Sequence, residues 1–171
     1  MLIALTGTPG TGKTTISRLL PYRVIDLNAL VKNGLQEGFD PRRGCLVADM
    51  EALEDRIEEL ADEKEVTVLE GHFSHHFAPL AIVLRVAPPV LRERLEQRGY
   101  REEKIKENAE AEALDVILVE AVEWCDVVHE IDTTDRSPEE VADLIIKVIG
   151  GKIELPPGGT DWMGEMEFDP E

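Results

Sequence analysis

Short apolar runs alternate with longer amphipathic stretches along this chain. Met1–Thr6 (MLIALT), Val66–Leu69 (VTVL) and Ala81–Val86 (AIVLRV) are nearly continuous in apolar character. That is the pattern of strands buried on both faces. Tyr22–Leu27 and Asp126–Ile131 predict two further strands. Between them lie segments with helical periodicity: Lys13–Leu20, stopped by Pro21; Met50–Lys64, with Met50, Leu53, Ile57 and Leu60 on one face; Pro88 to about Arg98; and a long helix over Ile105–Trp124. Asn28 is placed to cap a helical turn over Asn28–Lys32, and Asp49 to cap the helix that follows. Ser137-Pro138-Glu139-Glu140 is a capping box with proline at the first helical position, so a last helix spans Pro138–Ile149. Strand and helix alternate without internal repeat, which predicts an α/β fold with a parallel sheet covered by helices.

Two segments escape the pattern. Gln36–Gly44 (QEGFDPRRG) is turn-rich and mobile in composition. After Gly150-Gly151 the periodicity ends, and KIELPPGGTDWMGEMEFDPE carries six acids against one lysine, with paired prolines and glycines. It reads as a loosely packed acidic tail over residues 150–171, after a domain over 1–149. Docking of Trp162, Met163, Met166 and Phe168 is the alternative.

Composition narrows the classes. At 171 residues one domain is expected, and 36 acids against 18 Lys and Arg give a net charge of −18. That charge argues against a general polyanion-binding surface, so RNA contact would need a local basic patch or a basic protein as intermediary. Cys45 and Cys125 are far apart and lack metal-ligand spacing, so they read as reduced thiols of a cytoplasmic protein. No secretory leader is expected, and the most apolar run, Leu80–Leu84, is interrupted by Arg85 and too short for a membrane span.

The chemistry begins at Gly7. Gly7-Thr8-Pro9-Gly10-Thr11-Gly12-Lys13-Thr14 matches the phosphate-binding loop G-x-x-x-x-G-K-[ST], between the required strand and helix. Its backbone N–H groups can turn around a phosphate, Lys13 can reach β- and γ-phosphates, and the Thr14 hydroxyl can ligate Mg²⁺. The motif implies ATP-type substrates without naming the reaction. There is no N-K-x-D for guanine, no LSGGQ-like stretch, and the strand at Val66–Leu69 ends in a single carboxylate, Glu70.

A small kinase needs an acceptor segment, cations for the transferring phosphoryl group and a cover against water. Residues 28–48 stand where an acceptor flap belongs. Arg94 and Arg98 fall four apart on one helical face, and Arg101, Lys104 and Lys106 crowd the next turn, a short lid over about 98–108. The alternative for Arg94 and Arg98 is a solvated face paired with Glu93, Glu96 and Glu102.

GTPGTGKTT at Gly7–Thr15, EGH at Glu70–His72, RERLEQRGY at Arg92–Tyr100 with Lys104 and Asn108, and the EID…SPEE ending resemble the adenylate kinase isoenzyme 6 family over about residues 1–149. The resemblance implies a P-loop nucleoside-monophosphate kinase fold with five parallel strands in the order 2-3-1-4-5. It implies two activities: ATP + AMP ⇌ 2 ADP with Mg²⁺, and ATP hydrolysis linked to small ribosomal subunit maturation. The latter would act through a basic small-subunit ribosomal protein of the S11 family. It also implies that Gly10, Gly12, Lys13, Thr14, Thr15 and Arg98 bind ATP, with Arg94 at adenine or phosphate and Arg136 near the adenine. Thr14 and Glu70 would manage the metal. His72 would orient water or bond a phosphate, a structural histidine being the other reading; His75 and His76 read as structural. Three features depart from the family. Glu70 replaces its usual aspartate, Ala29 and Gly44 stand where acids are common, and the tail is expected to lack a counterpart. CMP or shikimate as acceptor, or an ATP-switched assembly factor with incidental kinase activity, stay open as alternatives.

Overall fold

The computed structural model describes residues 1–42 and 44–165. The sheet is parallel and five-stranded. It comprises β1 (Leu2–Thr6), β2 (Arg23–Asp26), β5 (Thr67–Glu70), β6 (Leu80–Arg85) and β7 (Val127–Asp132), in the order β2-β5-β1-β6-β7. With the hairpin β3 (Gln36–Asp40) and β4 (Cys45–Ala48) set aside, this is the expected 2-3-1-4-5 order. Seven α-helices are described: α1 (Lys13–Ser17), α2 (Leu27–Lys32), α3 (Met50–Leu60), α4 (Pro88–Gln97), α5 (Glu102–Ala113), α6 (Val116–Trp124) and α7 (Pro138–Ile149).

The strands bury both faces, as their apolar runs require. Ile3, Leu5 and Ile82 face one core with Ile16 of α1 and Val141 and Ile145 of α7. Ala4, Leu69 and Val83 face the other, with Leu27 of α2, Ile57 of α3 and Leu118 of α6. Leu91 and Leu95 of α4 join Ile105 of α5 and Val86 in a third cluster. Register sets Leu5 and Asp26 on either side of Glu70, so the carboxyl ends of β1, β2 and β5 share one edge.

Several boundaries differ from the sequence reading. Asp26, not Asn28, caps α2, its carboxylate accepting from Ala29 N at 2.9 Å. The segment expected to be mobile, Gln36–Gly44, supplies β3 and the turn of an antiparallel hairpin; Arg43 lies outside the described residues. The long helix expected over Ile105–Trp124 is two helices, broken at Asp115, whose φ of 56° is left-handed. Aspartate tolerates that conformation better than most residues, and here its carboxylate accepts from Arg85.

The segment after Gly150 is also packed along β7 where a loose tail is expected. Ile153 and Leu155 cover the α1–α7 core, Leu155 O accepts from Glu130 N at 2.8 Å, and Leu155 N donates to His129 Nδ1 at 3.1 Å. The N–H groups of Gly158 and Gly159 donate to Glu130 Oε2 at 2.8 and 2.9 Å. Alternate apolar residues and two glycines therefore compensate for the tail's acidity. Trp162 is half-buried and Met163 exposed, whereas Met166 and Phe168 lie outside the described residues.

Arg85, at the end of β6, is 1% exposed. Its Nε donates to Glu112 Oε1 and its Nη1 to Glu130 Oε1, both at 2.7 Å; its Nη2 donates to Glu112 O at 3.0 Å and to Asp115. Burial alone would lower the guanidinium pKa, but Glu112 and Asp115 more than offset it and hold it above its ordinary value. Glu112 continues the network: Oε1 accepts from Val86 N at 3.1 Å and Oε2 from the Thr8 hydroxyl at 2.5 Å.

The loop after β1 is tightly enclosed. A Cβ on Gly7 would stand 2.5 Å from Leu84 O, and one on Gly10 would stand 2.6 Å from Leu91 Cδ1, with φ at +139° and +98°. Only glycine meets both demands.

Arg85→Met is expected to destabilise the fold by about 3–5 kcal/mol, because it leaves Glu112 and Glu130 buried without their cation. Urea unfolding measures this. Gly10→Ala should cost about 1–3 kcal/mol in the same assay, while Gly38→Ala, which meets open space, should change stability little.

Candidate active site

Two groups of charged side chains gather at the loop between β1 and α1. One of them belongs to a cleft of about 250 Å³, lined in part by Gly10, Gly12, Thr15, Arg94, Arg98 and Arg136. All six are residues singled out from the sequence. Thr11, Thr133 and Val141 also line it and were not. Thr133 follows β7 and donates from Oγ1 to Arg85 O at 2.9 Å, and its N–H donates to the same carbonyl at 2.8 Å. A lone threonine after a strand carries no sequence signal.

Three arginines reach this cleft by different routes. Arg94 projects from α4; its Nη1 donates to Gly10 O at 3.3 Å and its Nη2 to Thr133 O at 3.4 Å. Burial, then the neighbouring Arg98, pull its pKa below the ordinary value. Arg98 is exposed at the C-terminus of α4, where Gly99, φ 73°, turns the chain toward α5. Arg136 precedes the capping box of α7 and donates to Asp132 O. Among the described residues Arg94 and Arg98 make no ion pair with Glu93, Glu96 or Glu102; Arg92 reaches Glu102 instead, at 3.5 Å. Arg94, half-buried, and Arg136, exposed, donate to carbonyls and keep donor capacity for an anion.

The other group is Lys13, Thr14, Glu70 and His72. None of the four lines the arginine cleft. Lys13 is buried and its ammonium donates to Gly7 O at 2.7 Å and Thr8 O at 3.0 Å. Burial pulls its pKa down to about 8, against the opposing pull of Glu70 and Glu112. Glu70 closes β5 at 2% exposure. Burial and the nearby Asp26 raise its carboxyl pKa, while Lys13 and a 3.4 Å bond from the Thr14 hydroxyl lower it. Asp26 escaped the sequence reading because its proximity to Glu70 arises only from β2–β5 pairing. His72 is exposed at the surface, while partial desolvation of its ring and the nearby Lys13 charge lower its pKa.

The acceptor flap expected over 28–48 contains α2 and the β3–β4 hairpin. Ala29 lies in the first turn of α2, and Gly44, φ +64°, ends the hairpin turn. Phe39, Leu46 and Val47 are exposed on the hairpin. Lys104 and Lys106 lie on α5, paired with Glu107 and Glu110 at 2.7 and 4.0 Å.

Comparison with known proteins supplies the family. Residues 3–115 match the family model described as "AAA domain". A Methanosarcina barkeri protein named "Putative adenylate kinase" is 51% identical over 95% of this chain and 98% of its own. A protein of the same name from Methanocaldococcus jannaschii is 45% identical over 99% of this chain and 96% of its own. That match runs into the segment after Gly150, which was expected to have no counterpart. Among solved structures, shikimate kinase from Acinetobacter baumannii shares the fold at a TM-score of 0.58, with 18% identity over 88% of this chain and 93% of that one. The chain belongs to the archaeal family whose members carry the adenylate kinase name, built on a P-loop kinase fold.

Proposed function

We propose that this protein is a Mg²⁺-dependent nucleoside-monophosphate kinase that converts ATP and AMP to two ADP. The observation that carries this reading is the phosphate loop bringing an arginine-lined cleft together with the buried Lys13 and Glu70. The relatives' name points the same way.

In this reading the loop amides and Lys13 hold the β- and γ-phosphates, giving up the Gly7 and Thr8 carbonyls that Lys13 now contacts. Arg94, Arg98 and Arg136 face the nucleotide from α4 and the β7–α7 loop. An acceptor phosphate oxygen attacks the γ-phosphorus; the bond to the β–γ bridging oxygen breaks, and ADP leaves with that electron pair. A phosphate oxygen needs no general base, so the side chains act by positioning and by charge. Glu70 fits a cation: it is a buried carboxylate whose hydroxyl partner, Thr14, is held at only 3.4 Å. Thr14 and Glu70 would hold Mg²⁺, directly or through water, and the ion would neutralise charge on the phosphate oxygens.

The second activity proposed is ATP hydrolysis serving small ribosomal subunit maturation, with a basic ribosomal protein of the S11 family as partner. His72 favours it: an exposed imidazole whose protonation the Lys13 charge disfavours has a lone pair with which to orient water. The net charge of −18 suits a basic partner and leaves RNA contact indirect. A cytoplasmic location agrees with the unpaired Cys45 and Cys125, and no described helix is long and apolar enough to cross a membrane.

Lys13→Met should lower ADP formation by at least about 10³-fold and Arg98→Ala by about 10²-fold, measured as kcat/KM with saturating Mg²⁺. The assay should offer AMP, CMP, UMP, GMP, shikimate and water in parallel. Absence of turnover with every nucleoside monophosphate offered would refute the kinase assignment. His72→Ala should keep ADP formation from ATP and AMP while losing partner-stimulated hydrolysis. Equal loss of both would remove the separate role.

A further inference from the structure

The 3-10 turn Ser74–Phe77, just after Glu70-Gly71-His72, carries a second cluster of chemistry that the phosphate site does not use. One ligand atom each from His75, His76 and Glu120 lies within 4.8 Å of the others. His75 comes from the turn at 1% exposure, and Glu120 from α6 with its side chain 46% exposed.

The hydrogen-bond directions decide what this cluster lacks. The Thr6 hydroxyl has one hydrogen and stands 3.2 Å from both His72 O and His75 Nδ1. With that hydrogen on His72 O, the 3.2 Å bond to His75 Nδ1 runs the other way, with Nδ1–H as donor. A neutral ring then leaves Nε2 as a bare acceptor. That nitrogen is buried, has no hydrogen-bond donor and faces Glu120 Oε2 at 3.3 Å. Two acceptors pointed at each other in a buried site repel unless a cation lies between them.

We infer that His75, His76 and Glu120 form a binding site for a borderline transition-metal dication, of which Zn²⁺ is the type. Two imidazoles and one carboxylate are a zinc donor set, and the 3.3 Å spacing of Nε2 and Oε2 matches the tetrahedral edge that follows from bonds of about 2.0–2.1 Å. Nitrogen ligands disfavour Mg²⁺, so this site and the phosphate site would not compete for one ion. Thr6 is the outer partner that fixes the His75 tautomer, the role a second hydrogen bond normally plays at a metal-bound histidine. The partly exposed Glu120 and His76 leave a fourth position open to water. Bound metal would staple the turn to α6, where Cys125 Sγ already stands within hydrogen-bond distance of His75 O and Ala78 O, at 3.3 and 3.2 Å. Through Thr6 it would also steady His72.

The test is Zn²⁺ titration of the full chain, followed by calorimetry, thermal unfolding and long-range ¹H–¹⁵N spectra of the histidines. One Zn²⁺ per chain should bind and raise Tm, with His75 Nε2 shifting while Nδ1 stays protonated; Mg²⁺ should produce no such shift. Glu120→Gln and His76→Asn should each weaken Zn²⁺ at least tenfold without changing basal Tm, whereas Cys45→Ser should bind Zn²⁺ as the parent does. Three results would overturn the site: no Zn²⁺ uptake at micromolar concentration, uptake indifferent to both substitutions, or spectra showing Nε2–H donating to Glu120 as an ion pair.

Discussion

One guanidinium, buried where a strand ends, holds the working parts of this molecule together. Arg85 sits at the C-terminus of β6 with its fork spent on Glu112, Glu130 and Asp115. Glu112 passes the connection to Thr8 in the phosphate loop, and Glu130 passes it to the Gly158 and Gly159 amides. A buried cation tolerates no vacant partner, because the low dielectric that strengthens each bond also raises the cost of losing it. The loop, α5, the break before α6, β7 and the C-terminal segment are therefore positioned by one set of charges.

That network also explains how a chain with twice as many acids as bases presents a positive cleft. The surplus of acid is spread over the surface, while Glu112, Glu130 and Glu70 are buried. Arg94, Arg98 and Arg136 converge from two elements on one cleft at the loop. Local arrangement, not net charge, sets the field that a phosphate meets. In the turn after His72, buried His75 Nε2 has no hydrogen-bond partner and stands 3.3 Å from Glu120 Oε2.

Much of the frame is legible along the chain. Apolar runs of the β1, β5 and β6 type have one stable use, burial on both faces, and helical periodicity between them leaves a parallel sheet as the consistent arrangement. The α7 capping box reads directly because both of its hydrogen bonds lie within four residues. The phosphate loop reads for the same reason: its glycines, lysine and threonine act on a ligand through nearby backbone. The errors fall where a local pattern meets a distant partner. Asp115 interrupts an otherwise good helix because Arg85, thirty residues away, takes its carboxylate. The C-terminal segment has the composition of a loose tail, yet β7 offers it backbone partners and a core edge for Ile153 and Leu155.

The sequence by itself determined the α/β frame, the phosphate cradle and the arginine pair four residues apart on α4. These depend on spacing within one element, and spacing is written in the chain. Only the tertiary structure decided that Asp26 lies beside Glu70, that Thr8 is tied to Arg85 through Glu112, and that two histidines of a turn meet a glutamate of α6. Each of those contacts joins residues from different elements, and its existence depends on strand register and helix packing that no local pattern encodes.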